Sequence, residues 1–441
     1  MITDIRGHRL SGATDESLPQ YEQAAHQLAL FQGDPVATID AAIAESPEFV
    51  MAHALKAYLL LLSVEAAALP GVRETLAVTS KLPATRREQA HLAAIRHFAE
   101  GRLAAASRTL EDIAIENPRD LLAIQVGHQL DFFRGDSRML RDRIARVMPS
   151  WSANVPHHHA ILGMHAFGFE EMGDYARAEK LGRRGVELEQ GDAWAQHAVA
   201  HVLEMQGRQK EGIAWMEQNV DGWARDNFLA VHNWWHLALY YLEFGEIEKV
   251  LALYDRHIYG NDSKIVLELV DASAMLWRLH LRGVDVGDRW RKQADAWEAS
   301  GELGTYAYSD AHAMMAFVGA GRKDAIRRVS EAHAEAVRGS GDNVMFTRDV
   351  GAPVADAIRR FGEGRYAEAV DLLRPVRNIA SRFGGSHAQR DVLDLTMIEA
   401  ALRSGQDALA RALVNERDAI RHETPLTRLF VQRAQGLRKA A

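Results

Sequence analysis

The chain of 441 residues contains no cysteine. That excludes disulfides, thiolate zinc centres and cysteine nucleophiles together. It also suits a reducing cytoplasm, the expected location. Proline is scarce, at 11 residues, and β-branched runs are few, so little in the pattern favours strands. Positive charge is not in excess. The formal net charge is −8, which argues against a nucleic-acid or anionic-membrane partner. No apolar run is long enough to cross a bilayer. The longest, Ala57 to Leu69, is interrupted by Glu65 and is expected to be a buried helix. The opening residues, Met1 to Arg6, lack the apolar core of a secretory signal.

What is present forms helix. Hydrophobic residues make up 47% and charged residues 25%, a soluble globular composition. Ala, Leu, Arg and Glu dominate, with apolar side chains at i, i+3 and i+4. An apolar helix, a glycine and a second helix recur at Gly33, Gly101, Gly135, Gly173, Gly207, Gly245, Gly283, Gly321, Gly364 and Gly405. Two of these steps are 34 residues and four are 38. The 68 residues from Gly33 to Gly101 hold two units, with a degraded one near Gly71, and the last steps are 43 and 41. A helix–turn–helix unit of this period is the signature of an α-solenoid. A small residue stands five positions after the glycine in several units: Ala106, Ala178, Gly212, Ala369 and Ala410. It lets the two helices approach closely. Pro118, 17 residues after Gly101, is placed to end a second helix. Short turns make consecutive helices antiparallel neighbours. The expected fold is all-α: a helical-repeat solenoid of about ten antiparallel helix pairs over residues 20–441, behind an N-terminal arm, 1–19.

The turns Gly173-Asp-Tyr-Ala-Arg-Ala178 and Gly364-Arg-Tyr-Ala-Glu-Ala369 resemble the turn of the tetratricopeptide repeat. The resemblance narrows at residues 30–35, 46–54, 197–208, 232–239 and 385–391, which are similar to the tetratricopeptide repeat protein 38 family. It runs nearly end to end. It implies a helical-repeat fold and no settled reaction, so it supplies no catalytic assignment.

The candidate site lies in residues 151–320. All nine Trp fall between Trp151 and Trp297, and ten of the 20 His lie in the same third. His197 and His201, and likewise His232 and His236, stand four apart, one helical turn on one face. His91, His128, His165 and His312 also precede their turn glycine by seven to ten residues. All therefore belong to first helices, which line the concave surface in tetratricopeptide-like stacking. Three readings are open. In one, the imidazoles are satisfied structural groups between helices. In the second, they form a pocket for a small molecule or peptide. Trp194, Trp234 and Trp235 then supply walls, and His165, Asn233, Glu204, Asp310 and His312 supply polar handles. His387, Arg390 and Asp391 join if the last repeat curls back. In the third, His197, His201, His232 and His236 hold a metal, or His201, His236 and Glu204 do acid–base work. The zincin signature is absent, because Ala198 stands where its Glu would be. No serine sits in a nucleophile elbow. The expected function is recognition of a small molecule or peptide in a His/Trp-lined pocket, with a hydrolase on the same residues as the alternative. No cofactor is identified by the sequence, and a homodimer is left open.

Overall fold

A computed structural model of the chain describes residues 2–436. Met1 of the expected arm and residues 437–441 of the expected solenoid lie outside the described residues. The fold is all-α. Among the described residues there is no strand, only two isolated bridges, Thr3 with Arg9 and Gln32 with Asn227. Among the described residues eleven helix pairs run from Leu18–Leu30 to Asp407–Ile420, with the short helices Val220–Ala224 and Asn343–Phe346 between them, and Pro425–Gly436 follows. Among the described residues no helix is long and apolar enough to cross a membrane.

The turn chemistry explains the regularity. All ten glycines named above are left-handed, with φ between 63° and 78°, a conformation that costs glycine nothing and other residues about 1 kcal/mol or more. In three units an aspartate follows at once and caps the second helix. Asp34 accepts from the Ala37 N–H, Asp136 from Met139 and Asp174 from Arg177. Glycine reverses the chain and aspartate starts it again. The degraded unit departs from expectation. Gly71 lies inside the helix Leu69–Thr79, and the reversal falls instead near Val64, itself left-handed at φ 52°. The apolar run from Ala57 is accordingly not one buried helix. Its helix ends at Leu61, and Ala66–Ala68 forms a 3-10 turn. Glu65 and the missing glycine account for the break.

The small residues after the turns sit at close helix contacts. Ala106, Ala178, Ala369 and Ala410 are fully buried, and a Cβ on Gly212 would lie 2.3 Å from the Tyr240 ring. Ala178→Leu is therefore expected to destabilise the protein by about 1–3 kcal/mol, because overpacking forces strain. An unchanged urea midpoint for that variant would remove position 178 from the contact.

The contacts divide the chain into two compact units. The first comprises residues 1–199 with 219–230, and the second comprises 200–218 with 231–441. The boundary falls inside the helix Ala193–Met205. In the first unit the N-terminal hairpin is tied to later elements. Gln125 donates to the Leu28 carbonyl, Asn227 donates to that of Leu30, and Phe31 stacks on Trp194. The second unit closes in a comparable way. Trp277 Nε1 donates to Thr396, Arg278 to the Ala388 carbonyl, and the Leu426 N–H to Glu243. Its last helices therefore lie against its first ones.

Candidate functional site

Three helices of the second unit, Ala230–Glu243, Val266–Leu281 and Ala307–Gly319, are each the first of a pair. Closure of the unit buries them nearly all round, so their few polar residues meet inside rather than in solvent. His201 and His236 are fully buried, with ring centroids 4.4 Å apart. His232 and His236 stand edge to face at 4.9 Å. One ring nitrogen from each of His201, His232 and His236 lies within 4.8 Å of those of the other two.

Carboxylates back two of these rings. His232 Nδ1 lies 2.9 and 3.0 Å from the Asp271 oxygens. His236 Nδ1 lies 3.3 Å from Glu204 Oε2. At His232 the hydrogen bond to Asp271 puts the proton on Nδ1 and leaves the lone pair on Nε2. Burial, and then the neighbouring imidazoles, hold the pKa of His201 and His236 well below the ordinary histidine value. Both rings are neutral at physiological pH. The other side of Glu204 is an ionic chain. Its Oε1 pairs with Arg421 at 3.2 Å. Arg421 also approaches Asp391 at 3.8 Å, and Arg417 bonds Asp391 at 2.7 Å. Burial works to raise the Asp391 carboxyl, but Arg417, Arg421 and Arg278 hold it far below the carboxylate range.

The unit thus gathers His201, His232, His236, Glu204 and Asp391. His387 joins them, close enough to His201 to oppose its protonation. His312 belongs to the same inner face. Its Nδ1 donates to the Tyr308 carbonyl at 2.8 Å, and burial pushes its pKa down to about 4, with Arg278 opposing and Asp271 favouring protonation. Trp235 is fully buried, parallel to His232 at 5.4 Å, with the Arg278 guanidinium 5.1 Å above its ring. Asn233 is fully buried one position along that helix, about 100° round from His232. Arg390 donates to the Gly385 carbonyl and lies near enough to Tyr306 and Tyr308 to lower their pKa, against a larger rise from burial.

The other expected site residues have the following neighbours. Trp194 and His197 belong to the first unit. Trp194 stacks on Phe31 at 5.4 Å inside the apolar core, so it is a packing residue and not a pocket wall. His197 stacks on Phe167 at 5.4 Å and meets Trp194 at 5.0 Å. His165 also lies in the first unit, against Phe169 at 4.3 Å, in a shallow depression shared with Arg141 and Arg177. Asp310 faces away from His312. It accepts from the Gly304 N–H and pairs with His333 at 3.2 Å, which fixes a turn. Trp234 stacks on His257 at 4.0 Å. His91, between Tyr58 and Asp120, is a satisfied core histidine. Asp271, Arg278, Arg417 and Arg421 were not singled out from the sequence. One signal was available: Asp271 and Arg278 stand seven apart on an otherwise apolar face of Val266–Leu281.

No family model matches the chain. Solved helical-repeat structures resemble it distantly. The Cut9–Hcn1 assembly of the APC/C has 11% identity and a TM-score of 0.39, covering 88% of this chain and 78% of that one. Human IFIT1 bound to m7Gppp-AAAA has 15% identity and a TM-score of 0.41, covering 89% and 90%. The P58(IPK) TPR domain has 15% identity and a TM-score of 0.22, covering 89% and 99%. These are likenesses of architecture at low identity and bear on no function.

Proposed function

We propose that this helical-repeat protein binds a small organic molecule on the inner face of its second unit, centred on His201, His232 and His236. The supporting observation is their convergence, with ring nitrogens within 4.8 Å, deep in a helical layer. Buried polar side chains are costly and are gathered in numbers chiefly where they meet a ligand or each other. The enclosed setting favours a small molecule over a peptide. The narrower kinship with the tetratricopeptide repeat protein 38 family is part of the same proposal and rests on the segments named above. So are a cytoplasmic location, supported by the absence of cysteine, and the absence of a nucleic-acid partner, supported by the net charge.

A second reading has its own support. His232 turns Nδ1 to the Asp271 carboxylate in a hydrogen bond, the arrangement that orients metal-binding imidazoles. His201, His232 and His236 then hold a divalent transition metal, which supplies a Lewis acid for hydrolysis. Three nitrogens at about 2.0–2.1 Å from one ion stand well within 4.8 Å of one another, a spacing these ring nitrogens allow.

One experiment separates the readings. Wild-type protein and His236→Ala are equilibrated with cobalt(II), desalted and assayed for bound metal, and each is also denatured and its released small molecules are identified by mass spectrometry. Stoichiometric cobalt in wild type, lost in His236→Ala with helicity intact, supports the metal centre. An organic molecule released by wild type alone supports the recognition site. Neither result would leave the imidazoles a structural role.

A further inference from the structure

The second unit contains a cavity of about 360 Å³ on the far side of Glu204 from the imidazoles, within the size range of small-molecule sites. Its wall is unusually cationic. Six guanidiniums, of Arg278, Arg282, Arg403, Arg417, Arg421 and Arg433, face four carboxylates, an excess of two positive charges. Four of the six are neutralised. Arg403 and Arg433 share Glu399, each at 2.7 Å. Arg417 and Arg421 share Asp391, and Arg421 also reaches Glu204. The fourth carboxylate, Glu243, accepts from the Leu426 N–H.

Arg278 and Arg282 differ. Among the described residues neither has a carboxylate within ion-pair distance. Arg278 donates to the carbonyls of Ala274, Ala388 and Gln389, and Arg282 to that of Leu242. Burial pushes both guanidinium pKa values down, that of Arg282 to about 10. Asp391 and Glu204 favour the Arg278 cation and Glu243 that of Arg282, but none pairs with either directly, and an anion in contact with the two would offset the remaining cost of burial. The rest of the wall is apolar, with Leu239, Leu242, Leu281, Leu395 and Phe430 among it.

We propose that this cavity binds a small amphipathic anion, a carboxylate or phosphate head on an apolar body, with the head between Arg278 and Arg282. The fork of a guanidinium matches either head with paired hydrogen bonds. The two-charge excess suits one dianion or a monoanion with a second acceptor, and the leucines and Phe430 take the body. The site does not depend on the imidazole cluster, whose ligand or metal lies across Glu204.

The test is calorimetric titration of the full chain with five probes: octanoate, octyl phosphate, inorganic phosphate, octanol and octylamine. Binding of octanoate or octyl phosphate, with none by octanol or octylamine, is expected. Octanoate binding assigns a carboxylate head, and binding by both phosphates without octanoate assigns a phosphate head. Arg282→Gln should weaken the binding at least about tenfold, the effect of one lost charge-assisted hydrogen bond, with the circular dichroism spectrum unchanged. Arg282→Lys, which keeps the charge and loses the fork, should weaken it less, and it serves as the test should Arg282→Gln not fold. The proposal is overturned if no anion binds, if octanol or octylamine binds equally well, or if both variants bind like wild type. His236→Ala should leave octanoate or octyl phosphate binding unchanged, which keeps this outcome separate from that of the imidazole site.

Discussion

Arg421→Ala is expected to cost about 3–5 kcal/mol of stability, the usual effect of stranding a buried charge. Arg421 is 8% exposed. It stands between Glu204 at 3.2 Å and Asp391 at 3.8 Å. Asp391 keeps Arg417, but Glu204 is left with the neutral His236 ring at 3.3 Å and with Arg278 beyond ion-pair distance. The loss comes mainly from that carboxylate, whose desolvation is then poorly compensated. Arg433→Ala provides the contrast. Its side chain is 39% exposed, and its partner Glu399 also holds Arg403, so the cost there should stay near or below 1 kcal/mol. Urea unfolding of the two variants, fitted with a common slope, measures the difference. Equal midpoints would mean that the Glu204–Arg421 pair is solvated and ties nothing together.

The same pair shows where local pattern stops being informative. Glu204 and Arg421 are 217 residues apart, and the Arg278 bonds to Ala388 and Gln389 span 110 and 111 residues. Their meeting depends on how many small repeat-to-repeat rotations add up before the second unit closes. No single turn records that sum. The repeat itself was legible because its requirement is local: a left-handed residue must be glycine or close to it, and Gly33, Gly101 and their successors mark the turns directly. The pairs His197–His201 and His232–His236 were legible for a similar reason, since spacing by four fixes a shared face. Spacing does not say what that face meets. Trp194, one turn before His197, meets Phe31 and the core of the first unit. Asp310 and His312 are two apart and so diverge by roughly 200°, which is why one braces a turn and the other faces inward. Arg278 and Asp271 were overlooked for the opposite reason. They are charges in a largely apolar helix, a pattern that signals burial with partners, but the pattern does not say that Asp271 meets His232, 39 residues back, or that Arg278 meets carbonyls 110 and 111 residues on.

Mild acid should destabilise this protein well before its carboxylates titrate. Burial pushes the pKa of His128 and of His157 down to about 3 from an ordinary value of 6.5. Arg143 and His165 add to the effect at His128; Arg6, His26 and His159 add to it at His157. Below pH 6.5 the unfolded chain binds a proton at each position and the folded chain does not. Stability therefore rises with pH across this window. It is complete above the unfolded pKa and is lost, at about 1.4 kcal/mol per pH unit per histidine, as the pH falls from 6.5 toward 3. The two together remove roughly 3–4 kcal/mol between pH 7.5 and pH 5. Hydrogen bonding at His157 shows what protonation breaks. Arg6 Nη1 donates to its Nδ1 at 3.1 Å, so its proton sits on Nε2 and is given to His26 Nδ1 at 3.2 Å. A second proton has no site on His157 without expelling Arg6, which ties the N-terminal arm to this ring. Urea midpoints at pH 7.5, 6.0 and 5.0 should fall steeply for wild type and less steeply for His128→Phe with His157→Asn. Asparagine suits position 157, where φ is 68°. If the two pH profiles run parallel, neither imidazole is held neutral by burial, and the acid sensitivity belongs to other groups.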